Sequence, residues 1–340
     1  MPFLIYLKFS YLPDIKSLIF SFLRAIHEVN IFWAAHQVHH SSEDYNLSTA
    51  LRQSMLQMFP SALFFLPLAF FIPPPIALVH AEFNTLFQFW IHTELIKDIG
   101  PLEYVLNTPS HHRVHHGSNR YCLDKNYAGV LIIWDRMFGT FAEEKKDEKI
   151  VYGLVDQPQF FNPIKHQLFY LHGVLKKAKS MNNSEDFLAA FLKGPGWFPG
   201  TSRLGDISTV PRFQYRNIYD PKIPTWANVY VLIHFIICLL GIESMARMSG
   251  MSQIAIFGIG IYFIWSLTSL GLLFDKSVWG WANEALRSML CLIIIRKWSF
   301  LNIFPAMVTT AVFSSSFILA SLSVFAHLVL IQETEKKKNK

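Results

Sequence analysis

Apolar positions in this chain fall in long blocks rather than in short alternating runs. Residues 54–79 form one block with no charge in it. A bilayer-spanning helix needs about 20 mostly apolar residues, so the block is long enough to span. Its prolines at 60, 67 and 73–75 kink or split such a helix. A clean span and a helical hairpin entering one leaflet therefore both fit. Residues 226–240 and 254–274 are cleaner spans, with Glu243, Arg247 and Gly250 as a hydrophilic turn between them. A fourth apolar run covers 301–331. The stretch 281–298 mixes apolar residues with Glu284, Arg287, Arg296 and Lys297, a pattern suited to the membrane interface.

These blocks divide the chain. Residues 1–22 are apolar but interrupted by Lys8, Pro13, Asp14 and Lys16, without the basic-apolar-small layout of a signal peptide. Residues 23–142 hold the unusual polar chemistry around the proline-rich block. Residues 143–225, with EEKKDEK and GPGWFPG, read as a water-exposed connector, and 226–332 as C-terminal membrane helices. The tail 333–340 ends Lys337-Lys338-Asn339-Lys340. It reads either as a solvated cytosolic end under the positive-inside rule or as a dilysine signal for return to the endoplasmic reticulum. Both readings place the C-terminus in the cytosol. No internal repeat of fixed period is visible.

Composition supports a lipid solvent. Of 340 residues 52% are hydrophobic and only 16% charged, where soluble domains carry about a quarter. The net charge of +6 has no basic block behind it except the tail, which argues against nucleic-acid binding. Three cysteines, Cys122, Cys238 and Cys291, cannot build a disulfide framework. The departure from a plain membrane protein is histidine: 14 in all, ten of them between His27 and His116.

Three clusters hold most of these. His27 is followed by Glu28. His36, His39 and His40 form an HxxHH triplet, and so do His112, His115 and His116, preceded by His111. Positions i, i+3 and i+4 share one helix face, so each triplet brings three imidazoles to one point. Neutral imidazole binds zinc, copper, iron and nickel. Two such triplets with further histidines suit two metal ions. Polar residues near a bilayer are costly and mark function. Structural zinc commonly draws on cysteine, and none is placed to help here, which favours an oxygen-activating iron pair while leaving zinc transport open. His80, His166, His172, His234 and His327 are read as structural.

At these boxes the sequence resembles the fatty acid hydroxylase superfamily, the membrane di-iron oxygenases that include sterol desaturases. The segments HEVNIFWAAHQVHHSSEDYNLSTALRQS, FWIHTE and LEYVLNTPSHHRVHHGSNRYCLDKNYAGVLIIWDRMFGTF are similar to its glyceryl-ether-cleaving branch. The likeness runs from about residue 24 to the C-terminal membrane segments and includes KGPGWFPG. It implies an all-α polytopic membrane protein with a cytosol-facing helical cap holding two iron ions. The implied ligands are His27, His36, His39, His40, His92, His112, His115 and His116. Glu28 is then a candidate catalytic group that orients a ligand or bridges the metals, or else a solvated carboxylate. His111 and Asn107 are placed to fix imidazole tautomers, while Asp124, Asn126, Tyr127 and 134–136 read as framework.

The resemblance further implies dioxygen and an alkylglycerol or lyso-ether lipid as substrates, and tetrahydrobiopterin as electron donor. It implies a membrane of the endoplasmic reticulum as the location. The reaction would be hydroxylation beside the ether oxygen, giving a fatty aldehyde and glycerol. Three alternatives stand beside it: a sterol or fatty-acyl hydroxylase using cytochrome b5 electrons, a metal-binding or transport protein, and a non-catalytic isoform. One position departs from the family: its first box has a histidine where this chain has Leu23. The residues before it do not match the family either. The expectation is an N-terminally altered or truncated form with a weakened metal site.

Overall fold

The computed structural model describes residues 13–70, 72–247, 249–297 and 311–325. The tail 333–340 and residues 1–12 of the N-terminal segment lie outside the described residues, as does His327. Among the described residues every regular element is helical, and β-structure is limited to three isolated bridges. The chain forms two compact units. The first runs up to Pro158 and adds Gln167–Ile218, and the second combines Gln159–His166 with the residues from Tyr219 onward.

The first unit begins with α1 (Pro13–Glu28) and α2 (Asn30–His40). A single extended residue, Val29, separates them and lets the two helices pack on each other. The short α3 (Leu47–Leu51) starts from a capping box, in which the Asn46 side chain accepts from Ser48 N and Thr49 Oγ1 accepts from Asn46 N. Such reciprocal caps satisfy the unpaired amides of a first turn.

The proline-rich block is split. After a 3₁₀ turn at Met55–Gln57 come α4 (Met58–Phe65), a second 3₁₀ stretch at Leu66–Phe70, and α5 (Pro74–Ile91). Pro60 lies in the first turn of α4, and Pro74 and Pro75 open α5. Proline is tolerated at such positions because those amides have no helical partner. The prolines thus mark helix starts, and no single helix covers 54–79. The outward faces are apolar: Phe70 is 87% exposed and Leu86 70%, with Leu51, Met58, Phe59 and Leu63 also exposed. A contiguous apolar surface of this kind marks contact with a membrane or partner.

The remaining elements of this unit are α6 (Pro109–His116), α7 (Ile133–Phe138), α8 (Pro163–Lys179), which begins in the second unit, and α9 (Ser184–Leu192). Residues 143–225 thus carry helices as well as polar loops. Trp197 from the GPGWFPG segment is buried with Ala178, Ala189 and Ala190.

The second unit contains α10 (Thr225–Arg247), α11 (Gln253–Phe274), α12 (Val278–Lys297) and α13 (Ala311–Phe325). The first two have the length and apolarity to cross a membrane. The mixed stretch expected at the interface behaves differently. Glu284 and Arg287 of α12 turn inward and are 0% and 1% exposed. Arg287 donates Nε to Glu284 Oε1 (2.9 Å) and Nη2 to His234 Nδ1 (2.9 Å). His234 Nε2 donates to Ser316 Oγ (2.8 Å), which donates to Val312 O. Tyr230 OH donates to Glu284 Oε2. Burying a paired charge requires this degree of satisfaction, and the network ties α10, α12 and α13 together. His234 is therefore structural, as expected, and His166 likewise donates Nε2 to Phe160 O (2.7 Å).

Candidate metal centre

Four helices deliver eight imidazoles to one place. His27 lies in the last turn of α1, and His92 caps the C-terminus of α5. His36, His39 and His40 lie on α2, and His112, His115 and His116 on α6. Seven of the eight are buried and His115 is half-buried. The ring nitrogens of His39, His92, His112 and His116 all lie within 4.8 Å of one another, as do those of His27, His36 and His40. A third set, His40, His115 and His116, meets the same limit and joins the two. His115 also packs 4.7 Å from His27 and 4.8 Å from His40 between ring centroids. All eight residues singled out in the sequence are thus brought together.

Hydrogen bonds fix which nitrogen faces inward. His27 Nδ1 donates to Leu23 O (2.7 Å), His39 Nδ1 to Arg52 O (3.1 Å), His92 Nδ1 to Gln88 O (2.6 Å) and His115 Nδ1 to Lys125 O (3.0 Å). His36 Nδ1 donates to Gln57 Oε1 (2.8 Å). A carbonyl oxygen only accepts, so each Nδ1 carries the proton and each Nε2 offers a lone pair. Yet His39 Nε2 and His92 Nε2 stand 3.3 Å apart. His40 Nε2 lies 3.1 Å from His27 Nε2 and 3.2 Å from His36 Nε2, and can donate to one of them at most. Facing lone pairs repel unless a cation lies between them.

Protons do not fill that role at neutral pH. Burial lowers all eight imidazole pKa values, that of His36 and His92 to about 4 and of His115 to about 3, and neighbouring imidazoles lower most of the others further. The rings are therefore neutral, the form that ligates metal. An array of inward lone pairs with protonated outer nitrogens fits a metal centre, and outward hydrogen bonds of this kind orient metal-binding histidines.

The surrounding residues differ in part from expectation. Glu28 is buried, but its oxygens accept from Arg24 Nε (2.7 Å), Arg203 Nη1 (3.0 Å) and Tyr127 OH (3.3 Å). Its partners are thus two arginines and a tyrosine, none of them one of the eight histidines. Asn107 donates to Ala128 O, and His111 packs on Phe141. The tautomers of His27, His36, His39, His92 and His115 are set by main-chain carbonyls and Gln57 instead. The expected framework is present: Asp135 accepts from Tyr127 N, Ala128 N and Thr140 Oγ1, and Asn126 donates to His111 O and Ala142 O.

Arg113, inside HHRVHH, was not among the sequence candidates. It is 1% exposed and donates to Glu144, Thr93 O and Ile96 O, pinning the loop that follows His92. Trp33 packs on His27 and His40 (5.4 and 5.2 Å), and Tyr45 stacks on His92 (5.6 Å). A cavity of about 490 Å³ reaches His27, His40, His115 and His116.

Comparison with known proteins agrees with this geometry. A fatty acid hydroxylase family profile matches residues 16–140, and one for the alkylglycerol monooxygenase C-terminal domain matches 227–313. Alkylglycerol monooxygenase of Danio rerio is 46% identical over 93% of this chain and 70% of its own length. The Homo sapiens protein of that name is 47% identical over 81% of this chain and 62% of its own length. Ornithine lipid hydroxylase OlsE of Rhizobium tropici is 30% identical over 38% of this chain and 40% of its own length. The chain thus spans less than two thirds of the human relative. No solved structure matches. The chain belongs to the alkylglycerol monooxygenase family.

Proposed function

We propose that this chain is a membrane monooxygenase of ether lipids and that its eight imidazoles hold two iron ions. His39, His92, His112 and His116 would hold one, and His27, His36 and His40 with His115 the other. The observation that carries the reading is the opposition of inward Nε2 lone pairs whose Nδ1 protons are committed outward. An all-imidazole donor set suits iron, copper, nickel or zinc, and the oxygenase family selects iron among them. Its three described cysteines are buried, and none belongs to the histidine groups.

When bound, the iron pair supplies dioxygen activation and hydroxylation of an unactivated carbon. The chain's residues supply position and dryness. The carbonyls of Leu23, Arg52, Gln88 and Lys125 hold the ligand rings in register. Tyr45 covers His92 against water, Trp33 packs on His27 and His40 beside the cavity, and Arg113 holds the loop behind His92. The exposed apolar faces of α4 and α5, the latter leading directly into His92, let an alkyl chain approach from the bilayer. Oxidation at the carbon beside the ether oxygen gives a hemiacetal, which collapses to a fatty aldehyde and glycerol. Tetrahydrobiopterin is the proposed electron donor and the endoplasmic reticulum the proposed membrane.

Leu23 sits one turn before His27 and offers only its carbonyl. In this reading the second ion is held more weakly than in relatives with a histidine there. The test is ether-lipid cleavage by purified, iron-loaded chain, with and without tetrahydrobiopterin, alongside Leu23→His. Pterin-dependent release of aldehyde is expected, with more iron retained in the variant. Sterol oxidation without ether cleavage would overturn the substrate assignment, and unchanged iron in Leu23→His would overturn the role given to position 23.

A further inference from the structure

One side of the histidine centre carries an ordered column of aromatic rings. Tyr45, between α2 and α3, stacks on His92 (5.6 Å between ring centroids, 28° between planes) and lies 5.4 Å from His116. It also stacks on Tyr152 (4.9 Å, 15°). Both tyrosines are buried and pack with Val114, Cys122 and Ile150. A buried tyrosine hydroxyl finds a partner, and the two partners here differ in kind. Tyr45 OH donates to the main-chain carbonyl of Ile91 (3.0 Å), which does not take up a proton. Tyr152 OH donates to Glu94 Oε1 (3.2 Å), a carboxylate that does, and Glu94 is exposed. The column thus runs from two rings of the centre to a proton acceptor at the surface.

The other aromatic groups beside the histidines lack this combination. Trp33 and Tyr170 meet edge-on at 6.5 Å, and Tyr170 OH donates to Asn30 Oδ1 (3.1 Å), an amide. Tyr127 lies 5.3 Å from His27 and donates to Glu28. Glu28, however, is buried and already held by Arg24 and Arg203. A carboxylate between two guanidinium groups is a poor proton acceptor.

We infer that Tyr45 and Tyr152 form an escape route for oxidising equivalents, with Tyr152 as the residue oxidised and Glu94 as the acceptor of its proton. The inference rests on the monooxygenase reading, in which dioxygen is the oxidant and the metal supplies the one-electron chemistry. With lipid present, dioxygen, one C–H bond and two electrons with two protons from the donor give C–OH and water. Without lipid, reduction of dioxygen to two waters needs two further electrons and two further protons. Tyr152 supplies the electrons one at a time. An electron passes through Tyr45 to the centre, the phenolic O–H bond breaks, and the proton forms an O–H bond on Glu94. Glu94 passes that proton to water, from which the centre draws one. A thiol in solution returns one electron and one proton to the tyrosyl radical, and two such thiols end as one disulfide. Without the route, the same equivalents fall on the imidazoles.

The readout is spectroscopic, independent of turnover. Full-length chain in detergent, loaded with ferrous iron, is mixed with oxygenated buffer without lipid or thiol, frozen, and read by electron paramagnetic resonance. Ring-deuterated tyrosine identifies a tyrosine signal, and Tyr152→Phe, Glu94→Gln and Tyr127→Phe are compared. We expect a tyrosyl radical in the unaltered chain and in Tyr127→Phe, its loss in Tyr152→Phe, and a much weaker signal in Glu94→Gln. Peptide mass spectrometry should show severalfold more oxidation of His92 and His116 in Tyr152→Phe. Phenylalanine keeps the stacked ring and Glu94 is at the surface, so iron content stays unchanged and reports folding of each variant. No tyrosine radical in the unaltered chain would overturn the inference, as would one that persists in Tyr152→Phe or equal histidine oxidation in the two proteins. A full signal in Glu94→Gln would overturn the role given to that carboxylate. Ether cleavage without the radical removes the escape route and leaves the monooxygenase reading standing, whereas the radical without ether cleavage by any donor counts against that reading alone.

Discussion

His92→Ala is expected to lower ether-lipid cleavage at least roughly a hundredfold, and to halve the iron retained per chain. Replacing outer-sphere partners of a metal site already costs about 10- to 100-fold, and loss of a ligand should cost no less. His92 has the largest effect because of where it stands. Its Nε2 lies 3.3 Å from that of His39, 3.2 Å from that of His116 and 3.1 Å from that of His112. Removing it leaves three donors around a gap and takes away the ring on which Tyr45 stacks. His172→Ala is the control, since that side chain is exposed on α8. Metal analysis of both variants separates the outcomes, and full iron retention in His92→Ala would remove it from the ligand set.

Arg287→Met carries the second large effect, on stability. It leaves Glu284 buried at 0% exposure without its cation, and it strips His234 Nδ1 of its donor. Breaking one half of a buried ion pair costs about 3–5 kcal/mol, whereas replacing both halves by apolar groups is often neutral. We therefore expect Arg287→Met to lower the unfolding temperature in detergent by roughly 10 °C. The double variant Glu284→Leu with Arg287→Met should recover most of that loss. A single variant as stable as the parent would show that the pair does not clamp these helices.

What was legible in the sequence followed helical periodicity. The triplets on α2 and α6 could be read because three residues at i, i+3 and i+4 announce a shared face. His27 and His92 have no such spacing: His27 was marked by its place among the clustered histidines beside Glu28, and His92 by family likeness alone. The tautomer-fixing partners were illegible for a physical reason: four are main-chain carbonyls, which every residue possesses, so residue type carries no signal for them. Side chains that looked suitable, Asn107 and His111, are turned elsewhere. Arg113 carried no signal because an arginine's burial depends on Glu144 and on carbonyls 17 to 20 positions away. The charges of α12 suggested an interface because sequence does not show that Tyr230, His234 and Ser316 converge on them.

The most direct test is metal stoichiometry. Metal-free chain is titrated anaerobically with ferrous iron, desalted and analysed for bound metal. Saturation at two iron ions per chain, the second held more weakly than the first, is the predicted result. Saturation at one ion, or no retained iron, would contradict a paired centre built from these eight histidines.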